Sequence, residues 1–95
     1  IALAASIGSG LWGIENKIEP TKMVEGNAYE QNFPESQQLP QTLFEAAGCL
    51  RKSKAAKELF GEEFVTHYAQ SREWEERESR KYISDWELQR YFEII

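Results

Sequence analysis

The stretch "GSGLWG", Gly8 to Gly13, has the glycine spacing G-x-G-x-x-G of a loop that cradles phosphate. Such a loop lets backbone N–H groups approach a pyrophosphate. It needs a strand before it, a long helix after it and an acid about 20 residues on. Neither flank qualifies. "IALAASI" has helical spacing and too much alanine for a core strand, and only "IENKIE" separates Gly13 from Pro20. Together with Ala4, Ala5, Ser6 and Ser9, the glycines read instead as a small-residue helix face that another element can approach closely. Each glycine costs roughly 1 kcal/mol of helix propensity, which tertiary packing has to offset. His67, the single histidine, has no Cys or His partner at ligand spacing and reads as a structural side chain, not a metal ligand. Cys49 lacks a neighbouring His or Asp motif and suits an ordinary small apolar helix position. The acids of "EWEER" sit among arginines, so a solvated helix face explains them better than a catalytic carboxylate pair. Trp12, Trp74 and Trp86 read as packing residues, with Trp74 a candidate for an interface. No catalytic, cofactor-binding or metal-binding residue is assigned within the chain.

The elements that carry these residues are helical. Leu3, Ile7, Leu11 and Ile14 recur at spacings of three and four, which suits a buried helix at the start of the chain. Glu19-Pro20 ends it. From there to Leu39 no period is sustained, and Gly26, Asn27, Asn32, Pro34 and Ser36 mark a connection of about 20 residues, long for a compact small domain. Thr42 and Glu45 form a T-x-x-E capping box that opens a helix with Leu43, Ala46, Ala47 and Leu50 on one side. Ser53 can cap a short helix, "KAAKELF", that Gly61 can end. A longer helix runs from about Glu62 towards Tyr82, with Phe64, Val65, Tyr68 and Ala69 as its apolar stripe. Its charged second half offers Glu73–Arg77 and Glu76–Arg80 at i,i+4 in the favourable order. Ser84 and Glu87 make a second capping box before "DWELQRYFEII". In that last segment Leu88, Tyr91, Phe92 and Ile95 form a stripe that must pack on something, since chain ends otherwise fray. The expected fold is all-α: four to five helices with one long irregular loop, arranged as a helix over 1–18, a loop over 19–40 and helices over 41–95.

Length and charge narrow the function. Ninety-five residues hold one small domain or a piece of a larger one, and Ile1 in place of Met points to a piece. A formal charge of −5 repels a phosphate backbone, which argues against a nucleic-acid partner. One cysteine forms no internal disulfide and fits a reducing cytoplasm. No apolar run approaches the roughly 20 residues of a membrane span; "IALAASI" is too short, and it lacks the basic flank and cleavage pattern of a signal peptide.

Read in order, "GLWGIENKIEP", "GNAYE", "LPQTLFEA" and "FGEEFVTHY" resemble the C-terminal part of the glutamine synthetase family. The resemblance covers nearly the whole chain. Each piece is weak alone, and the ordered set with matching gaps is what makes it specific. It implies the helical C-terminal part of an α+β catalytic domain, and it makes the G-x-G-x-x-G match accidental. The implied activity is an ATP-dependent carboxylate–amine ligase that joins glutamate to ammonia or another amine, with Mg²⁺ or Mn²⁺. The family's metal ligands and substrate-binding arginines lie before this segment, so the segment itself is expected to bind no cofactor and to be inactive alone. Tyr29 matches the tyrosine of the family's "NLYD" loop, which some bacterial members modify by adenylylation. Ala28 and Glu30 depart from that pattern and the double proline after it is missing, which favours a tyrosine anchoring the loop by its ring. The resemblance also gives the terminal stripe of Leu88, Tyr91, Phe92 and Ile95 a role in contacts between subunits of a homo-oligomer. The ending differs from the short tail of typical ammonia-using bacterial enzymes, which keeps relatives acting on larger amines, such as polyamines, in play. The rival reading is a stand-alone helical interaction module without activity.

Overall fold

The computed structural model describes residues 1–92 and residue 94. Five α-helices follow one another: α1 (Ala2–Glu15), α2 (Leu43–Lys52), α3 (Lys54–Phe60), α4 (Glu62–Ser79) and α5 (Asp85–Tyr91). Single turns of 3-10 helix at Ala28–Glu30 and Glu35–Gln37 punctuate the long connection, and no strand occurs among the described residues. Ile95, the last residue of the terminal stripe, lies outside the described residues.

The helix ends follow local chemistry. The Thr42 hydroxyl accepts from the Glu45 N–H at 3.1 Å. The Glu45 carboxylate reaches back one residue further than a standard capping box, to the Gln41 N–H at 3.0 Å. The box at Ser84 is complete: its hydroxyl accepts from the Glu87 N–H at 3.2 Å, and Glu87 accepts from the Ser84 N–H at 2.9 Å. Ser53 closes α2 and caps α3 by accepting from the Ala56 N–H. Gly61 joins α3 to α4 at φ 86°, a left-handed position that costs a residue with a Cβ more than glycine. α1 closes with two crossed bonds, Ile18 N–H to Gly13 C=O and Lys17 N–H to Ile14 C=O. That pattern needs a left-handed residue, usually glycine, and here Lys17 supplies it at φ 54°.

α2 and α4 form the main packed pair, with α3 against α4 and α1 against α3. The buried apolar residues, Ala47, Val65 and Ala69, all belong to α2 and α4. Their small side chains let the two backbones approach. Phe60 of α3 lies tilted against Phe64 of α4 and Phe64 stacks on Tyr68, with centroids 5.5 and 5.7 Å apart, and the Arg72 guanidinium sits 5.4 Å from the Tyr68 ring centre.

Two expectations about α4 are corrected by this packing. Glu73 does not pair with Arg77 along the helix. It takes Arg51 of α2 through two hydrogen bonds, at 2.8 and 3.2 Å, because the helix pairing brings that guanidinium to it. The charged half of α4 is therefore only partly a solvated face. The other expected pair, Glu76 with Arg80, does form.

The core is small for the chain. The accessible surface is 8846 Å², against about 5,600 Å² for a compact monomer of this mass. The radius of gyration is 18.1 Å, where about 12 Å is typical of a compact domain of this length.

Candidate functional site

The glycine triplet lies inside α1. Gly8, Gly10 and Gly13 are in mid-helix, where their N–H groups belong to the helix ladder and are not free to cradle phosphate. Of the three glycines, Gly8 alone has a neighbour. A Cβ added at Gly8 would stand 3.0 Å from the Leu59 side chain of α3, whereas at Gly10 and Gly13 it would meet nothing. One helical turn on, the Trp12 indole N–H donates to the Glu58 carboxylate of α3. Gly8 and Trp12 thus hold α1 to α3. This polar contact spans 46 residues of sequence, and no local spacing announces it.

Most of the rest of α1 is exposed. Leu3, Ile7, Leu11 and Ile14 are exposed. No charged residue occurs between Ile1 and Ile14. The Ser6 and Ser9 hydroxyls donate back to Ala2 C=O at 2.9 Å and Ser6 C=O at 3.0 Å. The helix has thereby turned its hydroxyl protons onto its own backbone, and its outer surface is apolar nearly all round. A helix of that kind is ordinarily covered by other apolar surface and not by water.

His67 and Cys49 are exposed, on α4 and α2. Among the described residues no group of three or more His, Cys, Asp and Glu is placed to hold a metal ion. No reaction step is assigned to these side chains. Tyr29 sits in the first 3-10 turn, whose start is capped by the Asn27 side chain accepting from the Tyr29 N–H at 3.1 Å. The tyrosine ring is 99% exposed. The anchoring role read from the sequence is corrected within this chain: the loop is tied by Asn27, by Gln31 donating to Glu25 C=O and by Gln38 donating to Phe33 C=O, not by the ring. On α5, Leu88, Tyr91 and Phe92 are exposed, as are all described residues from Arg80 onward. Trp86 packs edge-on to Tyr91 with centroids 6.1 Å apart. The helix pairs its own aromatics and leaves its stripe open. Trp12 is half-buried, while Trp74 and Trp86 are exposed.

This helical segment, with its exposed apolar helix and long tethered loop, is matched, over residues 1–91, by the model of the glutamine synthetase catalytic domain. The chain belongs to the glutamine synthetase family. Among similar proteins, glutamate–isopropylamine ligase of a Pseudomonas species is 45% identical over 95 residues, which is all of this chain and 21% of that protein. Type-1 glutamine synthetase 2 of Dictyostelium discoideum is 44% identical, across all of this chain and 19% of its own length. A gamma-glutamylethanolamide synthetase of Streptomyces coelicolor is 39% identical, across 98% of this chain and 20% of its length. The chain thus spans about a fifth of the length of these glutamine synthetase relatives. No solved structure matches it. The glycine spacing lies in a helix whose end, at Lys17, has the crossed bonds of a Schellman turn. No helix among the described residues is long and apolar enough to cross a membrane.

Proposed function

We propose that these 95 residues are a helical scaffold segment of an ATP-dependent ligase that joins the γ-carboxylate of glutamate to ammonia or a small amine. The observation that carries this reading is the match of residues 1–91 to the glutamine synthetase catalytic domain, with relatives named as a glutamate–isopropylamine ligase, a glutamine synthetase and a gamma-glutamylethanolamide synthetase. The exposed apolar surface of α1 supports it, because a helix whose only charge is at its last residue, Glu15, exposes apolar side chains that protein would cover. ATP and Mg²⁺ or Mn²⁺ would be held by residues outside this segment. The segment's own work is positional. α1 enters the core of the larger domain, the connection from Asn16 to Thr42 lies over its surface, and α2–α4 brace the outside. The stripe of Leu88, Tyr91 and Phe92 on α5 meets a further subunit of a homo-oligomer, in the cytoplasm and in the service of nitrogen metabolism. The acidic composition supports the absence of a nucleic-acid partner.

The test is an assay of the longer polypeptide that carries this segment. Supplied with L-glutamate, ATP and Mg²⁺, it is expected to release phosphate only when ammonia, isopropylamine, ethanolamine or a polyamine is added. Mass spectrometry should then identify the γ-glutamyl amide. Glutamate-independent ATP turnover, or none with any of these amines, would overturn the reading. The 95-residue chain alone is expected to release no phosphate.

A further inference from the structure

We draw no further inference here: the strongest candidate, the open concavity at the α3–α4 junction lined by Phe60, Phe64 and His67, is a solvent-facing surface, and nothing in the structure shows what covers it.

Discussion

Gly8 and Gly10 are two residues apart on one helix and face different surroundings. A methyl group at Gly8 would press on Leu59, whereas at Gly10 it would enter open space. In the 95-residue chain Gly10→Ala is therefore expected to raise the stability of α1 by about 0.5–1 kcal/mol, the propensity difference between the two residues. Helicity followed through a urea titration would measure it. In the longer protein the sign should reverse. If α1 lies in a packed interior, the added methyl meets another element and costs about 1–3 kcal/mol. A stabilised longer protein would place that face in solvent and count against a buried α1. The Arg51–Glu73 pair makes a different prediction. Its side chains are 39% and 20% exposed, so water screens much of the attraction. Arg51→Ala should cost about 1 kcal/mol, with the loss shrinking in high salt. Arg51→Lys should recover little of it, because one ammonium cannot reproduce the fork of two bonds. Chemical denaturation at low and high salt separates these outcomes.

Each helix is held by a different balance of caps and neighbours. α2 has a capping hydroxyl at Thr42 and a packed face on α4, so loss of the cap alone should leave it folded. α5 has seven residues, a complete capping box and an open surface. A helix that short is below the length that is stable in water by itself. Ser84→Ala removes about 1 kcal/mol of capping, and α5 is expected to lose most of its helicity in the 95-residue chain. Backbone chemical shifts from Asp85 to Tyr91 would show it, with Thr42→Ala as the control that keeps α2. Persistence of α5 without its cap would mean that the helix is braced by a contact the exposed face does not reveal.

At the scale of the whole molecule, the excess surface decides. About 3,000 Å² more area faces water than in a compact monomer of this size. Part of it belongs to the exposed apolar residues of α1 and α5. At roughly 25 cal/mol per Å² of apolar area, covering even a few hundred Å² contributes several kcal/mol. The isolated chain is therefore expected to self-associate as concentration rises, and sedimentation velocity should show species heavier than 11.0 kDa. A strict monomer at high concentration would mean that the chain closes over its apolar helices by itself, and the scaffold reading would lose its main physical support.

The sequence alone determined the helices, their caps and the punctuation between them. Ser53, Gly61, Thr42 and Ser84 act within a few residues of themselves, so their spacing carries the information. The ordered motifs from "GLWGIENKIEP" to "FGEEFVTHY" likewise carried the family, since they lie along the chain in matching order. Only the tertiary structure decided that Glu73 leaves Arg77 for Arg51 and that Gly8, not Gly10, receives a neighbour. It likewise decided that Trp12 reaches Glu58, and that the Tyr29 ring stands in solvent. Those outcomes depend on which helices meet. Contacts across 22 or 46 residues leave no periodic trace in the chain.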